Sequence, residues 1–132
     1  MPIVELPKKR TNKDRHYTAQ DDTGHLWAKE CYNMDTWRRF RQSYLMNNPL
    51  CELHSALNEV VPAQEVHHIV PISQAGSKYE ARDIAFNSNN LMSLCRECHN
   101  WYHAICHGRH MTPEDVHKME VYRDLVRNKH ME

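Results

Sequence analysis

Two short pairs of metal-binding residues constrain this chain more than any other feature of its sequence. Cys51 is followed by His54 after a gap of two residues, and Cys95 is followed by Cys98 at the same spacing. A two-residue gap lets both side chains of a pair converge on one ion, and two pairs supply the four donors of a tetrahedral site. We therefore predict that a structural Zn²⁺ bound by Cys51, His54, Cys95 and Cys98 holds the fold together.

The composition favours metal binding over disulfides. The chain has five Cys and eleven His but only two Phe. An odd number of cysteines is a poor disulfide framework, and a cytoplasmic chain would keep its thiols reduced. Buried free cysteines are the alternative explanation, and it suits Cys31 and Cys106, which have no partner at a similar spacing.

Length and charge indicate one small soluble domain. The 132 residues include 17 basic and 17 acidic side chains, so no overall positive charge points to nucleic acid, and any DNA contact must come from local patches. No apolar run is long enough for a membrane span, and the first residues do not resemble a signal peptide. We expect a cytoplasmic protein with no membrane partner.

The N-terminal segment, residues 1–34, is predicted to be a mobile basic arm. Its first twenty positions hold five basic side chains against two acidic ones, and residues 1–30 show no clear periodicity. A solvated tail without a role remains the alternative.

A helix is predicted over residues 36–46, with Asp35 as its N-cap and Asn47-Asn48-Pro49 as its stop. Its apolar stripe is predicted to face the core and consists of Trp37, Phe40, Tyr44 and Leu45. Three basic side chains lie off this stripe: Arg38, Arg39 and Arg41. They could contact DNA phosphates or form an ordinary solvated face, and the sequence leaves both alternatives open.

The rest of the chain alternates short strands with helices, which indicates a small α+β domain. The predicted elements are a strand over 65–70 ended by Pro71, a strand over 91–94, a helix over 96–107 ended by Gly108, and a helix from Thr112-Pro113 to Asn128. The connection over 72–89 is long enough to be functional or to contain a short helix near 80–84.

A second cluster of polar residues follows these elements. His67 and His68 lie at the end of the first strand, and Asn90 precedes the second. His99 and His103 are four residues apart on the next helix, so they share one face, and an ion could lie between that face and His67. Neighbours 67 and 68 point to opposite faces of a regular strand, so both can act only if the strand twists or ends there.

The motifs Val66-His67-His68-Ile69-Val70-Pro71, Asn90-Leu91 and Leu94-Cys95-Arg96-Glu97-Cys98-His99 resemble the HNH endonuclease family. The resemblance covers about residues 32–104, and the flank from Trp37 to Cys51 is similar to small HNH proteins of bacteriophages and prophages. It implies a zinc-stabilised ββα-metal (His-Me finger) core flanked by N- and C-terminal helices, with the nuclease domain at 35–108 and a C-terminal helix within 109–132.

The resemblance also implies a role for each matching residue. His68 corresponds to the general base, and Asn90 to the residue that fixes the geometry around it. His67 and His99 correspond to ligands of a catalytic divalent ion, and His103 to a further ligand in the colicin-nuclease branch. His107 lies one turn further along the same helix face, so a solvated role stays open for either of these last two histidines.

Two departures from the family pattern concern the metals. His67 stands where many phage members have Asp, and three imidazoles favour Mn²⁺, Ni²⁺ or Zn²⁺ over Mg²⁺, which prefers oxygen ligands. If only two imidazoles bind, Mg²⁺ becomes competitive. His54 stands where most relatives have a fourth Cys in the structural zinc site, and imidazole also serves zinc.

The function implied by the resemblance is metal-dependent hydrolysis of DNA phosphodiester bonds by a one-metal mechanism. The expected partners are double-stranded DNA and phage packaging proteins, in a bacterial or phage-infected cytoplasm. The alternatives are a noncatalytic zinc-stabilised DNA-binding module and a protein-interaction adaptor. Cleavage with and without divalent metal separates these three possibilities.

Overall fold

The computed structural model describes residues 19–130, which form a helical domain around a two-stranded sheet. The helices are α1 (Ala19–Tyr32), α2 (Asp35–Asn47), α3 (Glu52–Ala56), α4 (Lys78–Ala85), α5 (Arg96–Cys106) and α6 (Pro113–His130), and the strands are β1 (Glu65–His68) and β2 (Leu91–Leu94). The predicted α+β class is confirmed. No helix in this range has the length and apolar character needed to cross a membrane.

The sheet pairs β1 and β2 antiparallel, with His67 opposite Met92 and His68 opposite Leu91. Strand β2 is buried along its whole length and leads directly into α5, so strand, strand and helix form one compact unit. Its bounds match the predicted strand, whereas β1 ends at His68 rather than at residue 70. The strand ends early because the Val70 amide donates its hydrogen bond to the Asn90 side chain. This bond takes the place of a bond to the backbone of β2.

Helix α2 agrees with the sequence-based prediction to within a residue at each end. Its N-cap is Met34, however, and Asp35 lies in the first turn, where its carboxylate pairs with Arg38 at 3.6 Å instead of capping the helix. Trp37 is the buried anchor of the apolar stripe, and Phe40 is half-buried beside it.

Helix α1 corrects the prediction of an irregular arm over residues 1–34. Residues 19–32 are helical, and residues 1–18 lie outside the described part of the chain. The helix packs against α4 and against the 3₁₀ turn Ile72–Gln74. Its Cys31 is buried in a small cluster with Ile72 and Ala81, as expected for a free buried cysteine. This helix depends on tertiary contacts that a local pattern does not show.

The connection between β1 and β2 contains the short helix α4, with the Ser77 hydroxyl accepting a hydrogen bond from the Glu80 amide at its start. The predicted helix near 80–84 is therefore present and slightly longer. Gly108 follows α5 with a φ of +95°, a conformation that glycine adopts without the steric cost of a Cβ atom.

Helix α6 begins with a reciprocal cap, and the same carboxylate connects it to α5. The Thr112 hydroxyl accepts from the Asp115 amide, and the Asp115 carboxylate accepts from the Thr112 amide. The Trp101 indole on α5 donates to the same carboxylate at 2.9 Å. Together with Met119 and Tyr122, Trp101 belongs to the main core, so α6 is fixed on α5 at a defined angle.

A polar network beside the core joins four elements through Glu52, at the start of α3. Its carboxylate accepts from the Tyr44 hydroxyl of α2 at 2.8 Å and from the Ser93 amide of β2. Lys129 of α6 lies 2.7 Å from the other carboxylate oxygen, and both side chains are about four-fifths buried, at 18% and 19% exposure. Removal of one partner would leave a poorly solvated charge.

We expect Lys129→Ala to lower the free energy of unfolding by about 1–3 kcal/mol, because it leaves the Glu52 carboxylate without its cation. Urea unfolding followed by circular dichroism measures the change. The matched control is Arg127→Ala on the same helix, whose 3.4 Å pair with Asp124 is exposed and should contribute less than about 1 kcal/mol. Equal losses in both variants would contradict a special contribution from Lys129.

Candidate metal centres

The four predicted zinc ligands meet at one point of the fold. The Nδ1 atom of His54 lies 3.3 Å from the Sγ atom of Cys51, 3.4 Å from that of Cys95 and 3.2 Å from that of Cys98. A tetrahedral ion with Zn–N of about 2.0 Å and Zn–S of about 2.3 Å separates nitrogen and sulfur by about 3.5 Å. The arrangement therefore fits a Cys₃His zinc centre.

Local structure explains why these donors converge. Cys51 immediately precedes α3, which carries His54, and Cys95 is the N-cap of α5, which carries Cys98. The Glu59 carboxylate lies 4.0 Å from His54 Nε2, the ring nitrogen that faces away from the sulfurs. At this distance the exposed carboxylate places a negative charge near the ring without hydrogen bonding to it.

The electrostatics of this cluster also favour a cation. A hydrogen bond from the Cys98 thiol lowers the pKa of Cys51. Donating that hydrogen bond raises the pKa of Cys98, and burial raises it further. Burial raises the pKa of Cys95. Three crowded sulfurs cannot all carry a charge without a positive partner, and a divalent ion supplies it.

Three histidines form a second cluster. Helix α5 places His99 and His103 one turn apart with their Nε2 atoms 3.1 Å from each other, and the His67 ring centroid lies 5.7 Å and 5.8 Å from theirs. One candidate ligand atom from each of the three lies within 4.8 Å of the others. The predicted trio is thus brought together at a cavity of about 430 Å³.

The pKa shifts of these imidazoles favour the neutral form, which is the form that binds metal. Burial lowers the pKa of His67 to about 3, with smaller contributions from His99, His103 and His68. Burial also lowers the pKa of His99 and of His103. Ligation at neutral pH therefore requires no deprotonation of these groups.

His68 lies across β1 from the trio, as strand alternation requires. Its ring packs on Trp37 with centroids 4.7 Å apart, and its Nε2 atom lies 3.3 Å from the Ala85 carbonyl oxygen. The Tyr32 hydroxyl is 3.5 Å from its Nδ1 atom. Because β1 ends at this residue, His67 and His68 both line the cavity, which resolves the difficulty posed by their opposite orientations.

Asn90 fixes the segment that follows β1. Its amide nitrogen donates to the carbonyls of Val70 and Ile84, each at 3.1 Å, while its side-chain oxygen accepts from the Val70 amide at 2.8 Å. All three contacts are to backbone, and the residue is buried. Asn90 therefore holds the loop after His68 against the end of α4.

The three arginines predicted to contact DNA lie apart from the cavity. Arg38, Arg39 and Arg41 do not line it; Arg38 pairs with Asp35, and Arg41 donates to the Gln64 carbonyl at 3.2 Å. Cys106 is exposed, which corrects the expectation of a buried free cysteine, because it lies in the last turn of α5 at the cavity rim.

Sequence reasoning missed the aromatic surroundings of the histidines. Tyr32 of α1 and Trp37 of α2 contact His68, and Tyr122 of α6 contacts His67. The periodicity around Trp37 indicated a core residue, and nothing in the sequence linked the two tyrosines to the cavity.

Comparison with known proteins agrees with this geometry. Residues 50–105 match the family model for HNH endonuclease. The chain is similar to the crystal structure of the HNH endonuclease of deep-sea thermophilic bacteriophage GVE2 with manganese ion, at a TM-score of 0.55 and 28% identity over 69% of this chain and 94% of that one. No curated protein matches the chain.

The ββα unit and the two clusters of candidate metal ligands agree with this match of residues 50–105 to the HNH endonuclease family model. The chain combines a ββα unit and flanking helices with a Cys/His cluster that fits structural zinc, and it is similar to a bacteriophage HNH endonuclease. The family resemblance and the fold predicted from the motifs are confirmed.

We expect Cys95→Ser to lose zinc and cooperative folding. A structural zinc contributes about 10–16 kcal/mol in zinc-finger peptides, comparable with the whole stability of a small domain at about 5–15 kcal/mol. Metal analysis and thermal unfolding measure both effects. The control is Cys106→Ser, which removes an exposed thiol outside the cluster and should keep full zinc content. A folded Cys95→Ser protein with undiminished zinc would exclude this site.

Proposed function

We propose that the protein is a metal-dependent DNA endonuclease that hydrolyses phosphodiester bonds by a one-metal mechanism. In this proposal His67, His99 and His103 bind a catalytic divalent ion, and His68 is the general base. The observation that carries it is the convergence of three imidazoles and a separate fourth one at a single cavity, within residues that match the HNH family model.

The donor set fits the proposed ion. Three imidazoles suit Mn²⁺, Ni²⁺ or Zn²⁺ better than Mg²⁺. When bound, such an ion supplies positive charge to the scissile phosphate and the departing 3′ oxygen. The manganese ion named for the phage structure belongs to this group of metals.

His68 has the properties of a base. A carbonyl oxygen only accepts hydrogen bonds, so the contact with Ala85 places the ring proton on Nε2 and leaves the lone pair on Nδ1, 3.5 Å from the Tyr32 hydroxyl. Burial lowers the pKa of His68, so the ring is neutral at physiological pH and able to take a proton from water. Trp37 stacks on the ring and restricts its rotation.

Asn90 supports the base indirectly. Its three backbone hydrogen bonds join the loop after β1 to the carboxyl end of α4, where Ala85 lies. The acceptor of the His68 proton is thereby held at a fixed distance from the strand. These contacts support the geometry-fixing role that the family resemblance implies for Asn90.

Double-stranded DNA is the proposed substrate, and the exposed face of α2 is the proposed contact with its phosphates through Arg38, Arg39 and Arg41. Such contacts position a duplex without reading its sequence. We further propose a phage-associated role in DNA packaging, with phage packaging proteins as partners in the bacterial or phage-infected cytoplasm. Support for this role comes from the similarity to a bacteriophage endonuclease.

A plasmid-nicking assay with Mn²⁺, Ni²⁺ or Mg²⁺ tests the activity. The His68→Ala variant should cut about 10² to 10⁴-fold more slowly than the native protein, with zinc content and DNA affinity unchanged, because a general base acts in the transition state. The control is His110→Ala, which alters an exposed histidine outside the cavity. Native cleavage rates in His68→Ala would assign the base to another group. A native protein that binds DNA but cuts nothing with any of these ions would favour the noncatalytic module.

The number of imidazole ligands is tested at His103. The His103→Ala substitution should raise the dissociation constant for Mn²⁺ or Ni²⁺ about 10-fold or more. Calorimetry on protein with its structural zinc in place measures this change. His107→Ala is the matched control, since His107 lies on the same face of the α5 terminus but outside the histidine trio. An unchanged dissociation constant in His103→Ala would leave a two-histidine site, at which Mg²⁺ becomes competitive.

A further inference from the structure

The C-terminal helix reaches the histidine cavity through one buried hydroxyl. Tyr122 of α6 is only 4% exposed, and its hydroxyl oxygen lies 2.9 Å from Nε2 of His67, a residue 55 positions earlier in the chain. Tyr122 also lies outside residues 50–105, which match the HNH family model. The contact therefore joins a flanking helix to the residues that match the family model.

This contact bears on which nitrogen of His67 is available to a metal. A neutral imidazole has one protonated nitrogen and one lone pair, and a metal requires the lone pair. With Nε2 occupied by the tyrosine, the nitrogen left for an ion is Nδ1. That arrangement requires the Nε2 hydrogen to be donated to the Tyr122 oxygen. The reverse bond, from tyrosine to Nε2, would place the proton on Nδ1 and remove His67 from the ligand set.

We propose that Tyr122 is a positioning residue that accepts the Nε2 hydrogen of His67, fixes its tautomer and presents Nδ1 to the catalytic ion. This inference rests on the proposed function, because it assigns a role within the same site. It makes α6 a part of the nuclease centre rather than a separate appendage.

Packing holds Tyr122 at a fixed place relative to the other two ligands. Helix α5 carries His99 and His103, and its Trp101 donates to Asp115, which caps α6 two turns before Tyr122. The Tyr122 ring also stacks on Tyr102 of α5, with centroids 4.5 Å apart. The hydroxyl that orients His67 is thus fixed to the helix that supplies its partners.

A role in core packing alone would need only the ring of Tyr122. Tyr102 provides the comparison, because its ring lies edge-on to His67 at 4.8 Å, yet no hydrogen bond joins its hydroxyl to that imidazole within residues 19–130. Both tyrosines therefore contact His67: Tyr122 through a hydrogen bond between its hydroxyl and a ring nitrogen, and Tyr102 through its ring alone.

The first experiment compares Tyr122→Phe with Tyr102→Phe. Calorimetric titration of Mn²⁺ or Ni²⁺ into zinc-loaded protein should show affinity about 10-fold weaker in Tyr122→Phe, the usual effect of removing a partner of a metal-binding histidine, and native affinity in Tyr102→Phe. Zinc content and thermal unfolding establish that each variant is folded. Native affinity in Tyr122→Phe, or an equal loss in both variants, would overturn the proposal.

The second experiment reads the tautomer directly and needs no catalytic metal. Long-range ¹H–¹⁵N correlation on zinc-loaded, histidine-labelled protein distinguishes Nε2-protonated from Nδ1-protonated rings, with the His67 signal identified by its loss in His67→Gln. We expect the Nε2-protonated form in the native protein and a mixture in Tyr122→Phe. An Nδ1-protonated His67 in the native protein would overturn the proposal. A native protein that binds no ion at the three histidines would overturn the proposed function and this role with it, whereas unchanged binding in Tyr122→Phe overturns this role alone.

Discussion

The meeting of α3 and α5 at three sulfurs and one imidazole is the constraint on which the rest of the structure depends. The His54 ring lies 3.2–3.4 Å from all three sulfurs, although Cys51 and Cys95 belong to distant parts of the chain. A domain of 132 residues has only a small core with which to fix these elements by burial alone. A metal-ligand cluster provides the directional bonds that a small core lacks.

The same helix connects the two metal centres. Cys98 and His99 are adjacent on α5, and successive residues of an α-helix differ by about 100° in direction, so one faces the sulfur cluster and the other the cavity. Fixing the first turn of α5 at the zinc centre therefore fixes the orientation of His99 and His103 toward His67. Helix α5 therefore contributes ligands to both candidate metal centres and fixes their relative position.

The two faces of strand β1 carry different histidines of the candidate site. His67 faces α5 and α6, whereas His68 faces α1 and α2, where Trp37 and Tyr32 surround it. A longer regular strand would keep these two side chains apart. The early end of β1, produced by the backbone contacts of Asn90, leaves both rings at one cavity.

The sequence by itself determined which four Cys and His residues meet at the candidate zinc centre, the bounds of β2, the approximate bounds of α2 and α5, and the histidines that meet at the cavity. These depend on spacing along one element or on short motifs, which are local properties. The tertiary structure alone decided that residues 19–32 are helical, that β1 stops at His68, and that Tyr122 reaches the His67 ring. Each of these depends on contacts between residues far apart in the chain: α1 is stabilised by packing, Asn90 replaces the strand ladder, and the position of α6 follows from its docking on α5.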